Sequence, residues 1–253
     1  MPQGWFYFST LIFVFALCPL VILSTLFVTA PYGRYVRQGW GPQIDTRWLW
    51  VLMESPAVFG FALFYFLGPR AFSPMPLILL AIWQSHYIHR TLIYPWQMRA
   101  SHSQTPLVIA LMAIVFNLAN AYLNASQLSS PEANYTLSWL TDPRFLVGIV
   151  LFVIGYAINR QSDAILRSLR KPGETGYKIP YGGLYAWISC PNYFGECLLW
   201  LGWAIATWSL AGLSFFLFTA ANLIPRAITN HRWYHEKFSD YPKERKAVIP
   251  FIL

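Results

Sequence analysis

"WLWVLMESPAVFGFALFYF", residues 48–66, decides the fold. It is apolar on every side, with a single carboxylic acid, Glu54, and a single proline, Pro56, near its middle. A hydrocarbon core about 30 Å thick takes roughly 20 such residues as a helix. A membrane strand would instead alternate polar and apolar positions inside a closed barrel. This stretch does not alternate, so it reads as a membrane helix. Working outward from it, comparable runs fall near 5–30, 47–67, 73–95, 104–124, 144–165, 191–208 and 210–230. The expectation is an all-α integral membrane protein, a bundle of seven transmembrane helices. Bulk composition agrees: of 253 residues, 56% are hydrophobic and only 11% charged, as membrane proteins are. The first run, "GWFYFSTLIFVFALCPLVILSTLFVTA", has no positively charged leader and exceeds a signal-peptide core, so it reads as a retained span.

The net charge of +8 could suggest a nucleic-acid partner, but position argues otherwise. With seven spans, 16 of the 18 Lys and Arg fall on one side, and only Arg70 and Arg144 fall opposite. The positive-inside rule then puts the N-terminus outside and the C-terminus in the cytosol. Scattered basic residues orient the chain and meet anionic lipid. Cys18, Cys190 and Cys197 have no CxxC or zinc spacing and read as inert thiols, so no metal is expected. No internal repeat is visible, and the whole chain, 1–253, reads as one membrane-embedded domain. Segment 122–144 reads as the main outer loop; its N-x-S/T triplets at Asn124 and Asn134 read as chance.

Ionisable residues placed in oil carry the functional signal. Glu54 must be protonated, paired or facing a polar cavity; as a neutral acid it can donate a hydrogen bond to a carbonyl oxygen, and the plainer alternative is a structural bond at a bend near Pro56. In "QSHYIHRTLIYP", Tyr87, Arg90 and Tyr94 are spaced i, i+3 and i+7 on one face. Tyr87 and Arg90 lie deepest, whereas His86, His89 and Tyr94 read as the interfacial belt. "AINRQSDAILRSLRKPGE" puts Asn159, Asp163, Arg167 and Arg170 at i, i+4, i+8 and i+11, one face if the helix continues past the membrane, with Pro172 and Gly173 stopping it. A solvated helix end with ion pairs explains that face as well as a ligand does. Guanidinium forks, an Asn, an Asp and the glycines of "GETGYKIPYGG" nonetheless suit a nucleotide with several phosphates. Neither G-x-G-x-x-G after a strand nor a P-loop is present. Asn192 and Glu196 share a face at the start of the sixth span, and Arg226, Asn230, His231 and Tyr234 share one on the last.

"HYIHRTLIYP", "NRQSDAILRSLRKPGETGYKIPYGGLY", "PNYFGECLLWLGWAIATWSL" and "YPKERKAVIPFIL" together resemble the steroid 5-alpha-reductase family, the membrane 3-oxo-5-alpha-steroid 4-dehydrogenases. The resemblance is dense over residues 80–253 and thinner before, apart from the Glu54 segment, and suggests a bacterial or plant-like member. It implies a seven-helix bundle in a bacterial inner membrane or endoplasmic reticulum that uses NADPH to reduce the C4–C5 double bond of a 3-oxo-4-ene steroid. It also implies that Glu54 and Tyr87 bind the 3-keto oxygen with Arg90 beside them. Asn159, Asp163, Arg167, Arg170, Tyr177, Asn192, Glu196, Arg226, His231 and Tyr234 are the implied cofactor contacts. Two departures stand out: Met53 replaces the Gln that animal enzymes carry before the acid, and Thr229, Asn230 and His231 replace a run of histidines. Other readings are a related reductase of enoyl thioesters or polyprenols, a methyltransferase acting on prenylated cysteine, and a transporter. No obligate protein partner is expected.

Overall fold

The computed structural model describes residues 4–29, 31, 33–98, 103–171, 174 and 176–253, and the chain is 73% helical. α1 (Trp5–Phe27) is apolar throughout and encloses Pro19. A short strand, β1 (Gln43–Asp45), precedes α2 (Thr46–Ser55), whose first turn is capped by the Asp45 carboxylate accepting from the N–H groups of Arg47 and Trp48. Pro56 has no N–H for the Leu52 carbonyl four residues back. The helix widens there into a π turn, Pro56–Gly60, before resuming as α3 (Phe61–Phe66). α4 (Pro74–Ile88) repeats the pattern: a second π turn, His89–Ile93, leads into α5 (Tyr94–Gln97), with Pro95 close behind.

β2 (Gln104–Pro106) pairs antiparallel with β1, Gln43 opposite Pro106 and Asp45 opposite Gln104. This small ribbon had no sequence signal and ties the segment after α1 to the start of α6 (Leu107–Leu128). α6 continues through residues 122–128, expected as loop, and Asn124 is buried there with its Oδ1 accepting from Trp203 Nε1 at 2.9 Å. Its triplet is therefore no glycosylation acceptor. α7 (Pro143–Ser168), α8 (Pro191–Thr207) and α9 (Leu210–Lys237) complete the bundle. Pro172 and Gly173, the expected helix stop, lie outside the described residues.

Five of these helical stretches are long and apolar enough to cross a membrane: Trp5–Thr25, Thr46–Phe66, Leu107–Leu128, Pro143–Ser168 and Leu210–Lys237. Their large outward side chains, such as Phe59, Leu63, Val115 and Val150, suit contact with lipid. The core is aromatic. Trp83, Trp200 and Trp203 are fully buried, Phe61 stacks on Trp83 at 4.4 Å, and Phe215 meets Trp200 at 4.2 Å.

Helices α7 and α8 touch backbone to backbone because four glycines line their contact. Gly148 and Gly155 on α7 oppose Gly202 and Gly195 on α8. A Cβ on Gly195 would lie 2.6 Å from the Asn159 nitrogen, one on Gly202 2.5 Å from that of Phe152, and one on Gly155 would strike the backbone of Leu199. Small residues permit such close approach between membrane helices. The approach carries Asn159 and Glu196 into contact.

Candidate active site

Four of the polar residues that the sequence singled out, Asn159 and Asp163 on α7 and Asn192 and Glu196 on α8, join one buried network. Asn159 Nδ2 donates to Glu196 Oε2 at 2.8 Å and to the Asn192 carbonyl at 3.0 Å. Asn192 Nδ2 donates to Asp163 Oδ1 at 3.3 Å. Glu196 Oε1 also accepts from Trp200 Nε1 at 3.1 Å and faces His86 Nε2 at 3.3 Å. His86 is therefore no belt residue. It is 3% exposed, held edge-on between Tyr87 and Trp200, because α8 brings a carboxylate to it; no local pattern on α4 could reveal that partner. Buried charge of this kind persists only when paired.

Arg90 connects this network to the helices carrying Glu54 and Tyr87. Its guanidinium lies 3.5 Å from Asp163 Oδ2 and sits over the rings of Trp50 and Tyr94, each at 4.8 Å. Tyr94 is half-buried at this contact and not a lipid-facing anchor. His89 Nδ1 meets Arg160 at 2.6 Å. Tyr87 is buried against Trp83, ring centroids 4.9 Å apart, and stacked on Trp200 at 5.5 Å. Its hydroxyl has no hydrogen-bond partner among the described residues. Glu54 is half-buried, within electrostatic reach of Tyr87, Arg90, Glu196 and His86.

The π turns between these groups are stitched by side chains. Trp83 Nε1 donates to the Ala57 carbonyl at 2.8 Å, Gln84 Nε2 to Val58 at 3.0 Å, and Trp50 Nε1 to Arg90 at 3.2 Å. Such turns recur at functional sites because they re-aim side chains while exposing carbonyls.

Beyond the C-terminal end of α7, two adjoining hollows share Arg34, Leu166 and Tyr234 as walls. One also takes in Asn192, Ser189 and Asn230; the other is closed by Arg170, Tyr177 and Lys178. Asn192 thus lies in both the first hollow and the buried network. Arg34 was missed from sequence. Its guanidinium covers Trp233, Tyr234 and Tyr177 at 4.2, 4.9 and 5.0 Å, and its place beside Tyr35 just after the first span was the available signal. One nitrogen of Arg34 and one of Arg167 are buried without a hydrogen-bond partner among the described residues. Buried guanidinium donors of this kind call for an anion. Arg170 lies just beyond α7, 5.9 Å from the Tyr177 ring. The His231 ring meets Ser189, a wall of the first hollow: its Nδ1 is 2.6 Å from Ser189 Oγ, which also meets Tyr241 Oη at 2.6 Å. Arg226 is half-buried on α9 directly after Pro225.

Residues 103–253 match the sequence profile of the family described as 3-oxo-5-alpha-steroid 4-dehydrogenase. The chain is 46% identical to a steroid 5-alpha-reductase of Gossypium hirsutum, with 91% of each chain covered. It is 43% identical to a steroid 5-alpha-reductase of Arabidopsis thaliana over 99% of this chain and 97% of the relative. A 3-oxo-5-alpha-steroid 4-dehydrogenase 1 of Rattus norvegicus is 46% identical over 89% and 87%. Plant and animal relatives are thus equally similar.

Proposed function

This chain belongs to the 3-oxo-5-alpha-steroid 4-dehydrogenase family, a family of oxidoreductases, and from that premise we propose that it reduces the C4–C5 double bond of a 3-oxo-4-ene steroid with NADPH. The carrying observation is a run of polar groups through an otherwise apolar bundle: Asn192 in the first Arg34 hollow donates to Asp163, Asp163 faces Arg90, and Glu54 and Tyr87 lie within electrostatic reach of Arg90. A structural helix–helix bond at Glu54 alone would not account for a second donor within its electrostatic reach, the Tyr87 hydroxyl, which has no hydrogen-bond partner among the described residues.

NADPH, when bound, supplies the hydride. Arg34, Arg167 and Arg170 offer it guanidinium donors, and Tyr177 and Tyr234 offer ring faces. Asn159, Asp163, Asn192 and Glu196 present amide and carboxylate edges deeper in the bundle, and Arg226 and His231 border the same end on α9. Tyr87 and a protonated Glu54 donate hydrogen bonds to the 3-oxo oxygen as negative charge develops there. Packed among Trp83, Trp200 and His86, the Tyr87 phenol is preorganised and shielded from water. One such donor is worth about 3 kcal/mol of barrier.

The seven-crossing arrangement, N-terminus outside and C-terminus cytosolic, belongs to the same reading. In support, the continuous helical run from Pro74 to Gln97 and the 17 residues of α8 are about as long as the two further crossings require. The chain segments also separate by end. Tyr35 Oη donates to Asn230 Oδ1 at 3.1 Å, Arg245 Nη1 to the Pro180 carbonyl at 3.0 Å, and β1 pairs with β2 at one end. At the other end the Arg70 N–H donates to the Ser129 carbonyl, and Tyr135 Oη to that of Thr207.

The test is steady-state NADPH oxidation by purified Tyr87→Phe and Glu54→Gln with a 3-oxo-4-ene steroid. We expect kcat to fall by about a hundredfold in each, with both variants folded. Near-wild-type turnover in both removes the oxygen site.

A further inference from the structure

We propose that Thr91 and Asn117 are positioning residues that fix the backbone carrying Glu54 and so set its carboxyl against Tyr87. The inference rests on the reading of Glu54 as an oxygen-binding acid.

Three successive carbonyls around Glu54 each accept a side-chain donor. Leu52, whose helical donor Pro56 eliminates, accepts from Ser55 Oγ at 2.9 Å. Met53 accepts from Asn117 Nδ2 on α6 at 2.7 Å. Glu54 itself accepts from Thr91 Oγ1, in the π turn after α4, at 3.4 Å. The peptide units on both sides of the Glu54 Cα are therefore pinned by different helices. Thr91 is fully buried and sits beside Arg90, so its bond ties Glu54 to the element that bears Tyr87 and Arg90. Asn117 is 7% exposed, and its amide lies within electrostatic reach of the Glu54 carboxyl. A residue that only filled space here would need neither a hydroxyl nor an amide. The apolar surroundings make each donor costly unless it is used.

Neither residue touches substrate in this account. Each acts through Glu54, so its loss should appear in turnover and leave binding alone. A displacement of about 1 Å at a reacting group can cost about a hundredfold in rate, and losing one of several restraints should cost about tenfold. Thr91→Val and Asn117→Leu keep the side-chain size and remove the donor; Thr91→Ser restores the hydroxyl. In purified protein with NADPH and a 3-oxo-4-ene steroid, we expect kcat to fall about tenfold in Thr91→Val and Asn117→Leu. KM and the NADPH dissociation constant should stay within about twofold, and Thr91→Ser should recover most of kcat. Unchanged kcat in both donor-deleted variants, or a loss that Thr91→Ser shares, overturns the proposal while leaving the reductase reading intact.

A readout without catalysis separates the two further. In the infrared spectrum, the carboxyl band lost in Glu54→Gln identifies Glu54; it should shift in Asn117→Leu and in Thr91→Val. A band that stays in place in both overturns the positioning role even if the wild type reduces no steroid enone.

Discussion

Two pairs of helices build this site by opposite means. α7 and α8 are uninterrupted, and four glycines let their backbones meet, so Asn159, Asp163, Asn192 and Glu196 reach one another directly. The helices bearing Glu54 and Tyr87 are each interrupted by a π turn. Their carbonyls are taken up by Trp50, Trp83, Gln84, Thr91 and Asn117. One pair gains precision by removing side chains at the contact; the other gains it by inserting hydrogen bonds. The first pair can tolerate almost no added volume. The second can lose a single bond and keep its shape, which makes its faults kinetic before they are structural.

The largest expected effect follows from that contrast. Gly155→Val places a branched side chain against the Leu199 backbone, which cannot move aside as a rotamer can, and overpacking of this severity costs about 3 kcal/mol or more. Thermal unfolding in detergent should show a Tm many degrees below wild type, or no folded species; an unchanged Tm would mean that the two helices do not meet there. Substitutions in the second pair, Tyr87→Phe and then Thr91→Val, should instead leave Tm nearly unmoved while kcat falls by the factors given above. A Thr91→Val variant that unfolds as badly as Gly155→Val would erase the distinction.

The smallest effect lies at the N-terminal end of α7. Asp142 caps that helix and accepts from Arg144 N, Nε and Nη2 at 2.9, 2.9 and 2.7 Å. Those bonds hold its carboxyl down at about 2. Because the folded-state value is depressed below the ordinary aspartate value of about 3.9, the stabilisation is complete above about pH 4 and lost as pH falls through about 2. Tm measured from about pH 6 downward should show wild type slightly above Asp142→Ala, the gap narrowing below about pH 4. Asp142 is partly exposed, so solvent screens the pair and the gap is small.

The same contrast explains what could be read in advance. Helical membrane architecture was legible because lipid imposes it on every outward residue, and Glu54 stood out because a carboxyl among apolar residues needs a reason. The spacing of Asn159, Asp163 and Arg167 was legible because α7 is regular to Ser168. The π turns were not: Pro56 and Pro95 adjoin them, but a proline alone marks an interruption without saying how it resolves. His86 was misread as an interfacial residue because its partner lies on α8, more than a hundred residues away in the chain. Arg34 and Asn117 stayed hidden for the same reason, since only tertiary packing brings them to Tyr234 and to Met53. Of the two pairs, the regular one is readable from periodicity and the interrupted one from composition alone.

The most direct measurement of the central claim is calorimetric titration of NADPH into the detergent-solubilised protein, wild type beside Arg167→Ala. Wild type should take up one equivalent saturably, and the variant should bind about tenfold more weakly, as expected for a lost charge-assisted contact. No uptake by folded wild-type protein, or equal affinity in the two, would contradict it.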